Sequence, residues 1–414
     1  MSVVDPARMA ATHPPPRLSL NAEKRNLYPW IFRKMVVRPA PDDGIHDGDA
    51  VAVYDRHGRF IGRGFYNPRS QVAVRILDFS SSTESEPLEE AFLRDRIARA
   101  VRIRHDVLGL PEVTDAYRVV NSEGDHLSGL IVDLYADRAS VELHSLGFYR
   151  RRAAIERCLR AHFALAKEDG VVFRADARIQ DIEGFRIDPP RRPVTAVIRE
   201  NGVRFRVDLV AGHKTGFFLD QRDNRAALAP LCAGKRVLDV CCYTGGFALH
   251  AKVRGGARDV VGIDLDEKAV AVAVENARLN GLKPGRDGIA FAHDNAFHFL
   301  KQPREAGDLF DVAVVDPSKL APSREALEKA LRDYLDLNRL AMRNLRSPGL
   351  LLTCSCSGLV SIERFLEVLA RAGGEAGREV RVLRISGPGA DHPVVADFPE
   401  GLYLKVVLAE IRER

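Results

Sequence analysis

Short apolar runs, each closing on an acid or a cysteine, recur through the second half of this chain. Val237–Val240 lies within RVLDVCCYTGGFALH, residues 236–250, and carries Asp239. Asp259–Ile263 ends at Asp264, and Ile289–Phe291 is followed by Asp294 and Asn295. Phe310–Val315 delivers Asp316, and Leu350–Thr353 delivers Cys354-Ser-Cys356. Near-continuous apolar runs spaced by helical stretches predict a parallel α/β sheet buried on both faces. In such a sheet the carboxyl ends of the strands open on one crevice, the usual address of a ligand. Asp239, Asp264, Asp294, Asp316 and Cys356 are therefore expected around a single site.

The first segment reads as strand, glycine turn and helix. Gly245 and Gly246 would let backbone approach a ligand, but the pattern is not GxGxxG. No GK[ST] follows, which argues against a P-loop triphosphatase, and the missing third glycine counts against NAD. Asp264, 25 residues after Asp239, suits a ribose diol. Asp266 is an alternative, better suited to capping the helix predicted over 268–280. Asp294 and Asn295 would hold an adenine edge. An acid-lined crevice favours a cofactor bearing both positive charge and a diol, and S-adenosylmethionine has both. A cysteine beside that site has a use. Carbon 5 of cytosine is a poor nucleophile, and thiolate attack at carbon 6 makes it enamine-like and able to take a methyl group. Asp316 would address the N3 side of the pyrimidine. Cys354 and Cys356 are two apart, so on an extended segment they point the same way and geometry does not choose between them. Cys232, Cys241 and Cys242 read as packing or lining residues.

With 414 residues the chain should form two or three domains. We expect a loose tail over 1–17, a mostly-β unit over 18–85, a small α/β unit over 86–193 and the sheet domain over 194–414. The sheet domain is led by a hairpin turning at Asn201–Gly202. No run of 18 apolar residues exists, and the polar, proline-rich start has no signal-peptide core, so a cytoplasmic protein is expected. Six scattered cysteines and scattered histidines predict neither a disulfide framework nor a metal site. The net charge of +5 permits a nucleic-acid partner. Arginines crowd 94–104 and 150–152. GHKTGFFLDQRDNR, residues 212–225, mixes glycine, aromatic and charged residues as a site lining would. Exposed strand edges in the front units would permit a homodimer.

Together these segments resemble the bacterial large-subunit rRNA 5-methylcytosine methyltransferases of the YccW type. The resemblance rests on Pro29–Phe32, 212–225, Leu238–Phe247, Asp264, Asp294, Asp316–Lys319, Leu351–Gly358 and DHPVVADFPEGLYLK (391–405). It implies an α/β fold with a C-terminal Rossmann-like class I methyltransferase domain. A mostly-β PUA-like domain and a small central α/β domain would precede it. It implies that Cys356 is the nucleophile and that Asp316 holds the base. Gln221, Asp239, Tyr243, Gly245, Asp264 and Asp294 would line the S-adenosylmethionine crevice. The partner would be 23S rRNA or a large-subunit assembly intermediate, with no membrane. Three positions depart from the family pattern: Ser318 stands for a proline, Cys354 for an aromatic residue and Tyr28 for a histidine. Two other readings compete. A class I methyltransferase acting on another RNA base or atom would leave Cys356 structural. An RNA-binding assembly protein would bind RNA without methyl incorporation.

Overall fold

The computed structural model describes residues 14–166, 168–212 and 215–414. The expected tail lies outside the described residues up to residue 13, and its end is ordered: β1 (Arg17–Ser19) pairs in parallel with β3 (Ala50–Tyr54). With β2 (Trp30–Phe32), β4 (Phe60–Tyr66) and β5 (Val72–Asp78) they form a five-stranded sheet in the order β1-β3-β4-β5-β2. Three of these strands, β3, β4 and β5, are the apolar runs of the mostly-β unit expected over 18–85. The two short ones carry too few residues for a period to register.

A second sheet holds β6 (Ala116–Asn121), β7 (Leu130–Tyr135), β8 (Arg138–Leu143) and β9 (Val171–Arg174), in that order. Helices Glu90–Arg102 and Arg152–His162 cover it with Leu93, Ile97, Ile155 and Leu159. The first two sheets share a core. Phe65 packs edge-on against Phe148 at 5.1 Å, and a side chain at Gly147 would collide with the Phe65 ring.

The hairpin β10 (Thr195–Glu200) and β11 (Val203–Asp208) turns on Asn201 and Gly202, both left-handed as a type I′ turn requires. The third large sheet has seven strands. β12 (Arg236–Val240), β13 (Asp259–Asp264), β14 (Ile289–His293), β15 (Phe310–Val315) and β16 (Leu345–Ser355) run parallel. β17 (Arg378–Ser386) and β18 (Lys405–Glu413) add an antiparallel edge, giving the order β14-β13-β12-β15-β16-β18-β17. Helices Glu267–Leu279, Leu327–Arg343 and Ile362–Ala376 connect the strands. The order reverses between β12 and β15. This is a topological switch point, and a crevice opens there.

A buried polar knot ties the hairpin to the helix after β12. Glu200 accepts from Arg225 at 2.7 and 2.8 Å. His250 Nε2 lies 3.3 Å from the same carboxylate, yet burial, aided by the Arg225 charge, outweighs the Glu200 attraction and pulls His250 down to about 4. An unfolded histidine titrates near 6.5, so between about pH 4 and 6.5 the unfolded chain binds the extra proton. Stability should therefore fall as pH drops through that window, by about 3 kcal/mol in total. His250→Gln is expected to flatten that slope in urea titrations at pH 4.5 and 7. An unchanged slope would refute the assignment.

Candidate active site

The carboxyl ends of β12, β13, β14, β15 and β16 surround one cavity of about 770 Å³. That size suits a nucleotide-scale ligand together with a base. Its floor is the turn after β12. Cys241, Tyr243 and Gly245 all adopt left-handed backbone there, which costs the two non-glycine residues about 1–3 kcal/mol each. The turn is held from below: Cys242 N donates to Ile263 O at 2.9 Å, and Tyr243 N to Asp264 Oδ2 at 2.8 Å. At Gly245 an added Cβ would sit 3.1 Å from the Phe291 ring, so close packing as well as the positive φ calls for glycine.

Of the residues singled out from sequence, Gln221, Tyr243, Asp264, Asp294, Asn295, Asp316 and Cys356 line the cavity. Asp239 and Gly245 do not; they form the layer beneath. Asp239 is 1 % exposed, and its Oδ2 accepts from Ala248 N at 2.8 Å, tying strand to helix. Burial pushes its carboxyl up to about 8, against the pull of the Ala248 N–H, and the charges of Asp316 and Asp264 add to the rise. Its Oδ1 is buried without a hydrogen-bond partner among the described residues. A carboxyl raised that far is largely protonated at neutral pH, so the acids offered to a cationic ligand are those that line the cavity, among them Asp264 and Asp294.

Asp264 uses one oxygen for Tyr243 N and the other for Asp266 N at 2.9 Å, leaving lone pairs on both for a diol. Asp266 caps helix Glu267–Leu279 as expected, and also reaches the cavity wall. The His298 hydrogen bond holds Asp294 below the usual carboxylate range. Asn295 spends its side-chain oxygen capping helix Ala296–Lys301, its backbone N–H donates to Asp294 Oδ1 and its carbonyl accepts from Phe299 N, so its side-chain amide nitrogen is the group that remains for a ligand. Leu265, Ala296 and Phe297 supply an apolar wall beside these acids. None had a sequence signal, because each is an ordinary apolar residue between polar ones. The diol acceptor, apolar wall and acidic lining fit S-adenosylmethionine.

The opposite side of the cavity differs. Gln221 Nε2 donates to Asp316 Oδ2 at 2.9 Å and to Cys354 Sγ at 3.4 Å, while its Oε1 accepts from Asn224 at 2.8 Å. Gln221 thus orients Asp316 rather than standing among the acids of the β12–β14 side. Cys354 is fully buried, and burial pushes its thiol well above the usual range. Cys356 lies one residue past the end of β16, half-buried in the cavity wall, with Sγ 3.9 Å from Pro317 O. Of this pair Cys356 lines the cavity and Cys354 does not, a difference in burial that the two-residue spacing cannot report. Both serines beside Cys356 are clamped: Ser355 Oγ donates to Tyr334 Oη at 3.0 Å, and Ser357 Oγ lies 3.1 Å from the same oxygen. Ser318 is exposed on the loop after Pro317. Burial raises the thiols of Cys232, to about 12, and of Cys241 and Cys242, in keeping with packing and lining roles.

A strap over 387–404 completes the wall with Glu400, Tyr403 and Leu404. Asp391 anchors it. Asp391 Oδ1 accepts from Arg222 at 3.0 Å, its Oδ2 from Arg118 N at 2.9 Å, and its carbonyl from Arg104 at 2.6 Å. Farther along, Phe398 packs on Trp30 at 4.8 Å, and Tyr28 Oη donates to Glu400 at 3.0 Å. His213 and Lys214 of the 212–225 segment lie outside the described residues. Among the described residues, no group of histidine, cysteine and acid side chains could hold a metal, and no helix is long and apolar enough to cross a membrane.

Comparison with known proteins agrees with this geometry. Residues 123–397 match the S-adenosylmethionine-dependent methyltransferase family model, and residues 21–79 match a PUA-like domain model. Ribosomal RNA large subunit methyltransferase I of Aeromonas hydrophila is 38% identical over 393 residues, covering 93% of this chain and 96% of that protein. The protein of the same name from Photobacterium profundum is 37% identical, covering 92% and 94%. A solved Streptococcus mutans structure, described as a SAM-dependent methyltransferase, superposes with a TM-score of 0.75 at 20% identity. It covers 95% of this chain and 99% of that one, and it bears on the fold alone. A front sheet of PUA type, a seven-stranded Rossmann-like sheet and a crevice fitted to S-adenosylmethionine thus occur in one chain, which belongs to the S-adenosylmethionine-dependent methyltransferases, in the family of the ribosomal RNA large subunit methyltransferase I proteins.

Proposed function

We propose that this protein methylates carbon 5 of a cytosine in 23S rRNA, in the cytoplasm, through a covalent adduct between Cys356 and carbon 6. The observation that carries the reading is the placement of Cys356 beside Asp316, across the cavity from the acids that suit the cofactor. The curated relatives named for large-subunit rRNA span nearly the whole chain, which supports the substrate class. The divisions at 85/86 and 193/194 belong to the same reading, with the two front units gripping folded RNA. A homodimer through front-unit strand edges is compatible with it.

S-adenosylmethionine supplies the electrophilic methyl carbon when bound. Asp264 would take the ribose diol, Asp294 and Asn295 the adenine edge, and Tyr243 the floor. On the facing side, the Cys356 thiolate forms a bond to carbon 6, and the ring's electron pair moves to carbon 5. Asp316, oriented by Gln221, in its acid form donates its proton to the N3 side of the pyrimidine as negative charge develops there, and takes it back as the ring is restored. Once carbon 5 carries the methyl group, its proton passes to solvent, the carbon 5–carbon 6 double bond re-forms and the thiolate is expelled. Tyr334 and the clamped serines keep Cys356 in register throughout.

The test is methyl incorporation from labelled S-adenosylmethionine into ribosomal RNA from cells lacking the protein, followed by nucleoside mapping. 5-Methylcytosine is expected; label on another base, or none, would sink the reading. Asp316→Asn should lower turnover by about 10²–10⁴-fold while S-adenosylmethionine affinity, measured by calorimetry, changes only a few-fold. An equal loss of both would move Asp316 to the cofactor side.

A further inference from the structure

Lys405 opens β18 opposite Ser355, the last residue of β16, and is 7 % exposed. Its Nζ donates to Ser357 O and to Tyr403 O, each at 2.7 Å. Both acceptors are neutral carbonyls, so they meet the cost of burying the charge only in part. An ammonium has three donors, and one of the two acceptors belongs to the residue after Cys356. The side chain is thus fixed beside the thiol by strand pairing and two hydrogen bonds, an arrangement that the tail motif gave no reason to expect.

Among the described residues that line the cavity, the buried cation Arg225 is spent on Glu200, at 2.7 and 2.8 Å. Asp316 is an acid, and Asp220 and Glu400 on the closing segments are acids too. Tyr334, Tyr403 and Cys354 are held neutral, because burial raises each of them. Lys319 is exposed, where solvent screens it. Burial pulls Lys405 down to about 8, while charge on Cys356 pulls it back up. The coupling is reciprocal: a group that a thiolate keeps protonated also favours that thiolate.

We propose that Lys405 is a positioning residue for Cys356: anchored by two carbonyls, its ammonium compensates the thiolate that attacks the pyrimidine and departs at the end of the cycle. The inference rests on Cys356 being the nucleophile. The thiol proton goes to solvent, and Lys405 keeps its own protons throughout.

The test reads the thiol directly. Iodoacetamide alkylation of Cys356, followed by peptide mass, would be measured from pH 6 to 10 in the wild type, Lys405→Met, Lys405→Gln and Lys405→Arg. At pH 7 the Met and Gln variants should react about tenfold more slowly, converging on the wild type near pH 10. Lys405→Arg should stay within about threefold of the wild type, since it keeps the charge. Gln still offers an amide N–H to the carbonyls. Restoration by Gln but not Met would show a purely structural role and overturn the proposal, as would unchanged rates in both. Circular dichroism and S-adenosylmethionine binding identify a variant that has not folded. If Met fails there, the contrast between Gln and Arg decides alone. Alkylation needs no turnover, so this outcome stays separate from the nucleophile reading, which fails only if Cys356→Ala still methylates.

Discussion

Cys356→Ala should lower methyl transfer by about 10⁴-fold or more while S-adenosylmethionine affinity stays within a few-fold of wild type. Two features underlie the size of this effect. Covalent addition is what makes carbon 5 of the base nucleophilic, so no residual pathway of comparable rate exists. The half of the cavity assigned to cofactor lies on the strand ends of β12, β13 and β14, away from this thiol. A second readout uses RNA carrying 5-fluorocytosine. Carbon 5 then has no proton to lose, and the adduct should persist as a denaturation-resistant protein–RNA band with the wild type and be absent with Cys356→Ala. Normal turnover by the alanine variant, with product at carbon 5, would refute the assignment.

Asp391→Ala should be the most damaging single change outside the catalytic wall. Its carboxylate is fully buried between Arg222 and the Arg118 N–H, and His392 Nδ1 lies 3.1 Å from Oδ1. Burial opposes its ionisation, but the charge and hydrogen bond of His392, then those of Arg222, outweigh it and hold the carboxyl far below the usual range. Removing it leaves the Arg222 cation buried with its main partner gone, at a cost of roughly 3–5 kcal/mol. The expected result is a lowered urea midpoint, with Asp391→Asn in between because the amide can still accept hydrogen bonds. An alanine variant with the wild-type midpoint would refute the assignment. A carboxyl held below its unfolded value, about 3.9, stabilises the protein above that pH. The contribution is lost only as pH falls through the depressed folded value. The difference between wild type and variant should therefore persist from pH 5 to 8.

Local pattern carried the centre of the third sheet into the sequence. β12, β13, β15 and the second half of β16 are buried and read as apolar runs, and the ends of the last three therefore gave Asp264, Asp316 and Cys356, while Asp294 follows the short run of β14. The antiparallel edge was not legible. β17 is largely exposed, with Leu383 and Ile385 facing out, and no period separates it from a loop. The same holds for the walls. Leu265 and Phe297 have no motif, and the carboxylate side of Gln221 depends on where β15 ends, 95 residues away. Asp239 kept its place at a strand end but serves from beneath the floor. Depth within a layer is a property of packing, and a linear pattern holds no record of it.

The strap over 387–404 bears on how such a protein can diversify. It presses on the central unit so closely that a side chain at Gly124 would strike the Pro393 carbonyl, and it touches the front unit through Phe398 and Trp30. Exchange of the front units by recombination would need a donor whose Gly124, Arg104, Arg118 and Trp30 already matched the recipient's strap. These contacts tie the three parts together, so replacing a front unit alone would break them.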